Sequence, residues 1–386
     1  MTKILQISKY YYPFLGGIEQ VARDISGVLQ KMENVEQKII CFNEDASDGQ
    51  NTCNKNETTH DCIDGVEVIR CGYQMKVSSQ AISTTYSKEI DKLMNEYNPD
   101  IVILHYPNPF ATHFLLKYQK RRFKLVIYWH ADITKQKILK RVFYSQNVRL
   151  IQRADVILGA TPKHINESEF SKYFKNKSRI MPYMINEESL KITEEEINIA
   201  NKIKEEHRNE LIGFFIGRHV PYKGLEYLVQ ASKILKNENI HFFIAGKGEL
   251  TDSLKRMASD DSKIEFIGKI SDSERRIYLY ASDIICFPSI TKNEAFGLAL
   301  AEGMYFGKPA VTFTIPGSGV NYVNINGVTG LECNNSDYKE YADALDKLIV
   351  DENLRYKYGE AARKRVLDNF TKEVFYRNFM TLITEL

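Results

Sequence analysis

Nowhere in the 386 residues do about 18 apolar residues run together, so the sequence predicts no membrane-spanning helix. The six cysteines show no Cys-x-x-Cys spacing, and Cys286 lies in an apolar strand pattern, so reduced thiols are expected rather than a disulfide framework or a thiolate metal site. No Gly-x-Gly-x-x-Gly follows a predicted strand, and the dinucleotide fingerprint is missing. Charge of one sign is also lacking: 52 Lys and Arg face 50 Asp and Glu, which argues against bulk nucleic-acid binding. The amino-terminal apolar run around Lys3–Lys9 is too short and interrupted for a secretory signal, so a cytoplasmic location is expected.

What is present is enough for two domains, because 386 residues exceed one typical core and 43% hydrophobic residues support good packing. The most informative stretch is Phe287–Pro309. It reads as a strand over 283–287, a loop carrying Glu294, and a helix over about 296–305 stopped by Gly307 and Pro309. Glu302 stands eight positions after Glu294. At helical rise that is roughly 12 Å, near the span from a sugar ring past two phosphates to a ribose. Between the two carboxylates, Gly297 permits close approach, and the free amides of Phe296, Gly297 and Leu298 offer an anion site. A helix-cap neighbour and a solvated face would explain the pair of glutamates alone.

The neighbouring motifs point elsewhere. Gly-Lys-Pro309, Asn326–Gly330, Phe215–Gly224, Ile244–Glu249, the Gly16-Gly17 loop and Trp129–Gln136 follow one another in an order that resembles the retaining glycosyltransferases of family 4. That resemblance covers most of the chain. It implies an α/β GT-B architecture: two Rossmann-like parallel-sheet domains facing across a cleft.

The pattern along the chain is compatible with that plan. In the first half, strands are predicted at 4–8, 66–70, 101–105 and 125–129, with helices over 18–31 and 83–97. The polar segment 43–65 reads as a surface loop. The second half restarts with strands at 211–216, 240–245, 264–267 and 283–287. Alternating strands and helices imply parallel sheets that bind ligands at strand carboxyl ends. The expected division is 1–188 for an acceptor-side domain and 189–370 for a donor domain, with the last helix, 371–386, returning to the first.

Site residues follow from chemistry and resemblance together. Many glycosyltransferases hold a metal with Asp-x-Asp, and this tripeptide does not occur. Arg218 and Lys223, on a loop after a strand, are the alternative partners of a diphosphate, so neither metal nor other cofactor is expected. Glu294 is expected on donor-sugar hydroxyls and Glu302 on the ribose diol. Gly246, Gly248 and Ile267 are expected around the nucleobase. The resemblance adds Gly16 and Gly17 beside the donor phosphates and His130 as the active-site histidine. Asp132 is a further catalytic candidate, and Tyr11, His105 and Lys135 are candidates on the acceptor side.

A nucleotide-sugar donor and a glycan or polyprenyl-linked glycan acceptor are the implied partners, without nucleic acid. Basic, aromatic-containing runs at Lys117–Lys124 and Lys135–Arg153 suit an anionic membrane surface on the inner face, and solvated helix faces explain them almost as well. The motif combination looks most like bacterial mannosyl- or rhamnosyltransferases of O-antigen and capsule assembly, which favours GDP-mannose. UDP-sugar users share the frame. A GT-B nucleotide-sugar epimerase and a non-catalytic sugar-binding protein are the rival readings, the second disfavoured by Arg218 and Lys223, which a neutral sugar does not need.

Overall fold

The computed structural model describes residues 1–14, 16–44, 54–77, 80–132 and 137–386. The chain forms two compact units: Met1–Pro182 with Tyr376–Leu386, and Tyr183–Phe375.

The first unit is built on an eight-stranded sheet. Its order is Ser178–Ile180, Val156–Gly159, Lys124–Trp129, Ile101–Tyr106, Thr2–Ile7, Val35–Phe42, Val66–Cys71 and Thr59–Ile63. Seven of these strands run parallel, and only the Thr59–Ile63 edge is antiparallel. The central strand Ile101–Tyr106 is buried at every position, the mark of a parallel strand covered on both faces. Leu5, Ile7, Val102, Leu104, Leu125, Ile127 and Trp129 share one core with Ile151 and Phe174.

The expectation of a loop over 43–65 needs correction. Thr59–Ile63 is a strand, paired with Val66–Cys71 through a two-residue turn at Asp64-Gly65, both with positive φ (50° and 79°). Asp-Gly suits the type I′ geometry that matches strand twist. The expected helix over 83–97 is an α-helix only at Tyr86–Lys92, and it widens into a π-helical turn over Leu93–Tyr97.

The second unit has a six-stranded parallel sheet: Ile264–Gly268, Ile240–Ala245, Leu211–Ile216, Ile284–Phe287, Ala310–Phe313 and Gly330–Cys333. Numbered by sequence, that order is 3-2-1-4-5-6, the doubly wound pattern whose direction of winding reverses between Leu211–Ile216 and Ile284–Phe287. Loops leaving two strands at such a reversal diverge and leave a crevice for ligands. Two capping boxes start flanking helices, Thr193 with Glu196 and Ser271 with Glu274. Glu196 also receives hydrogen bonds from Ser273 and Arg276, which ties the helices Glu194–Glu206 and Asp272–Ala281 together. Among the described residues no helix is long and apolar enough to cross a membrane.

Candidate active site

In the second unit, both loops at the reversal point carry predicted site residues. After Leu211–Ile216 the chain passes Gly217 and Arg218 into a short turn at Pro221–Lys223. Gly224 follows in the left-handed region (φ 62°), where a Cβ would overlap the Pro288 carbonyl oxygen. Only glycine lets this loop lie against the one after Ile284–Phe287. The Ile290 amide donates to the Tyr222 carbonyl oxygen at 2.9 Å and joins the loops.

That close approach pairs Lys223 with Glu294. The ammonium donates to Glu294 Oε2, which also accepts from the Ser289 hydroxyl at 3.1 Å. The Ser318 hydroxyl holds the Glu294 carbonyl oxygen. Lys223 is only 8% exposed. A pair this far out of water is held by attraction and hydrogen bonds together, and removing one partner strands the other. Arg218, by contrast, is exposed, with Nη2 donating to the Tyr222 hydroxyl at 3.3 Å.

Glycines shape the rest of this crevice. A Cβ at Gly246 (φ 121°) would overlap the Gly217 carbonyl oxygen, and one at Gly248 would overlap that of His219. The His219 amide donates to the Lys247 carbonyl oxygen at 3.1 Å, fastening the two loops. Ile267 is half-buried on the neighbouring strand Ile264–Gly268. Gly297 (φ 91°) caps the helix Leu298–Tyr305, whose start at Leu298 falls two residues later than expected. Phe296 is a core residue, its ring 5.3 Å from those of Tyr183 and Phe370. Glu302 lies on that helix with Oε1 3.4 Å from Arg275 Nη1. Burial holds its carboxyl above the usual range, Arg275 pulling it down and Asp272 pushing it up.

The first unit presents a different arrangement. His130 follows the strand Lys124–Trp129, and its imidazole is buried beside that of His105. Gln6 Nε2 donates to Gln37 Oε1 at 3.4 Å, which turns Gln6 Oε1 toward His105 Nε2 at 3.1 Å. His105 Nε2–H therefore donates to Gln6, and His105 Nδ1 accepts from His130 Nε2–H across 3.1 Å. Burial keeps both rings neutral: it pulls His105 down to about 3 and, with the His105 and His164 rings, holds His130 well below the histidine range.

Asp132 accepts from Trp129 Nε1–H at 2.8 Å, from the Ser168 hydroxyl at 2.8 Å and from the Glu169 amide at 3.0 Å. Its carboxylate pins the start of the loop after His130. Tyr11 belongs to a small core with Ala22, Ile39 and Val68. Gly16 caps the helix Gly17–Leu29, and a Cβ there would overlap the Glu19 carboxylate, whereas one at Gly17 would meet open space. Lys135 lies outside the described residues. Of the basic runs, Arg121 and Arg153 are engaged with main-chain carbonyl oxygens, Arg153 with those of Gln119 and Phe123 at 2.9 and 2.7 Å, while Lys117, Lys120 and Arg122 are exposed.

Sequence reasoning did not pick out Ser289, Ser318 or Arg275 as partners of the two glutamates. Ser289 stands five residues from Glu294, but no periodicity links a loop hydroxyl to a loop carboxylate.

Comparison with known proteins adds two family models placed end to end. "Glycosyltransferase Family 4" matches residues 15–183, and "Glycosyl transferases group 1" matches 196–365. Between them the two models span most of the chain, which is a glycosyltransferase. This transferase is 25% identical over 391 residues to the O-antigen chain mannosyltransferase C of Escherichia coli, spanning 100% of this chain and 98% of that protein. It is 28% identical over 315 residues to the D-rhamnosyltransferase WbpZ of Pseudomonas aeruginosa, covering 80% and 78% of the two chains. Its fold is GT-B, shared with Anabaena HepE, solved in complex with UDP, at a TM-score of 0.79 and 14% identity over the full length of both chains.

Proposed function

We propose that this glycosyltransferase moves a hexose, mannose from GDP-mannose, onto a glycan or lipid-linked glycan in the assembly of a bacterial surface polysaccharide, with retention of anomeric configuration and without a metal. The observation that carries the reading is the Lys223–Glu294 pair at the reversal point of the second sheet, with exposed Arg218 on the same loop. A diphosphate leaving group needs positive charge, and a fork plus an ammonium supplies it. Phosphate oxygens would draw Lys223 toward themselves and release Glu294 to accept from sugar hydroxyls. Glu302, once ionised, accepts both ribose hydroxyls. The glycine-lined crevice at Gly246, Gly248 and Ile267 suits a flat base.

His130, buried and uncharged at the end of its strand, suits recognition of a sugar hydroxyl, and a neutral ring adds no charge beside developing positive charge at the anomeric carbon. In this reading the bond from the anomeric carbon to the phosphate oxygen breaks, and the electron pair leaves with the nucleoside diphosphate. The acceptor oxygen bonds the same face of that carbon, and its proton passes to the departing phosphate. Asp132 and Glu294 are both held by hydrogen-bond donors, which supports this route over a covalent carboxylate intermediate. Asp132 is then a positioning residue for the His130 loop. Exposed Lys117, Lys120 and Arg122 support peripheral contact with anionic lipid near the acceptor.

The test is incubation of the purified chain with GDP-mannose and a polyprenyl-linked glycan, with and without chelator. Acceptor-dependent GDP release, unaffected by chelator and giving an α-linked product, is expected. A β-linked product, or a glycosyl adduct trapped on Asp132 or Glu294, overturns the mechanism; transfer only from UDP-sugars overturns the donor.

A further inference from the structure

At the opposite, amino-terminal end of the second unit's sheet lies a cluster that donor chemistry does not use. His207 follows the helix Glu194–Glu206 as its cap, and the Glu210 amide turns back to the His207 carbonyl oxygen at 2.8 Å. That turn sets His207 Nδ1 2.9 Å from Glu210 Oε2. His241, second residue of Ile240–Ala245, brings its ring to 4.4 Å from the His207 ring. Among the described residues, His207, Glu210 and His241 each offer one donor atom within 4.8 Å of the other two.

Three features favour a cation here. A helix carboxyl end carries partial negative charge. His241 Nε2 is buried and completes no hydrogen bond, with Glu265 Oε2 at 3.5 Å. The floor is apolar: Phe243 meets the rings of His207 and His241 edge-on at 5.3 and 4.8 Å. A helix-capping His–Glu hydrogen bond accounts for the first two residues, and the Glu265 carboxylate pairs with His241 Nε2 without completing a hydrogen bond.

We propose that His207, Glu210 and His241 bind a divalent transition-metal ion, zinc foremost, with Glu265 supplying a fourth donor. Zinc bonds of about 2.0–2.2 Å set tetrahedral donors roughly 3.4 Å apart, within reach of side-chain rotation here. The ion clamps the end of the helix Glu194–Glu206 to the strands Ile240–Ala245 and Ile264–Gly268, so its effect is on stability, remote from the strand ends that carry Arg218 and Glu294.

The test titrates Zn²⁺ into the untagged full chain by calorimetry, with Tm followed in parallel. Single-site saturable uptake and a rise in Tm are expected, each weakened ~10-fold or more in affinity by His241→Ala and by Glu210→Gln. Glu210→Gln, at a partly exposed position, carries the test if His241→Ala does not fold. Absence of saturable uptake, or wild-type uptake in Glu210→Gln and His207→Gln, overturns the site. So does a Co²⁺-loaded chain whose spectrum shows thiolate charge transfer, which would place the ion on cysteine.

Discussion

At the carboxyl ends of its strands the first unit buries two uncharged imidazoles in a hydrogen-bonded chain from Gln6, whereas the second holds an ammonium–carboxylate pair beside an exposed guanidinium. Both sheets are parallel apart from the Thr59–Ile63 edge of the first, so the contrast does not come from the fold. It comes from loop chemistry. In the first unit the polar groups are satisfied by one another and cannot ionise cheaply in a dry core. In the second, glycine-permitted loop contacts bring full charges together and leave them partnered but exchangeable. Neutral groups suit hydroxyl recognition and charged ones suit a diphosphate.

Substitutions can break that comparison. The largest effect is expected for Glu294→Ala, which removes a preorganised charged acceptor and strands Lys223; steady-state turnover should fall about 10²–10³-fold, with circular dichroism unchanged. His130→Ala removes a neutral hydrogen bond of about 0.5–1.5 kcal/mol, so roughly tenfold is expected. Equal losses in the two variants would show that the histidine carries charge after all.

Smaller effects sharpen it through pH. Because burial raises the Glu302 carboxyl, nucleotide affinity should begin to fall above the ordinary carboxylate value of 4.5 as pH drops, by up to about tenfold per pH unit. Arg275 opposes that rise, so Arg275→Gln should move the fall to higher pH in a calorimetric series. For His105 the folded pKa is depressed, so its contribution is fully present above the unfolded value of 6.5 and is lost as pH falls toward about 3. Chemical denaturation of His105→Gln should show a shallower loss of stability over that window than the wild type.

Much of this was legible in the residues. The strand, loop and helix around Glu294 appear in the structure with boundaries shifted by one or two positions, because apolar runs and glycine stops are local signals. The Thr59–Ile63 hairpin was missed although Asp64-Gly65 announces it, since the polar residues around it masked a short edge strand. The strands Val35–Phe42, Ala310–Phe313 and Gly330–Cys333 were also passed over: the first opens on Glu36, Gln37 and Lys38, the other two are four residues long, and their sheet positions depend on distant partners. What sequence could not supply is pairing across distance. Lys223 and Glu294 are 71 positions apart and meet only because Gly224 lets two loops touch. Asp132, expected to act in chemistry, is occupied by Trp129, Ser168 and Glu169, partners that composition does not reveal.

The most direct test is calorimetric titration of GDP and UDP, in parallel and without divalent cations, into the wild-type chain and Arg218→Ala. The account predicts micromolar binding of GDP, weaker binding of UDP, and at least about tenfold loss in the variant, as expected for a charge-assisted hydrogen bond of about 1.5–3 kcal/mol. Silence toward both nucleotides until a metal is added, or unchanged affinity in Arg218→Ala, would contradict a donor site built on the second unit's own cations.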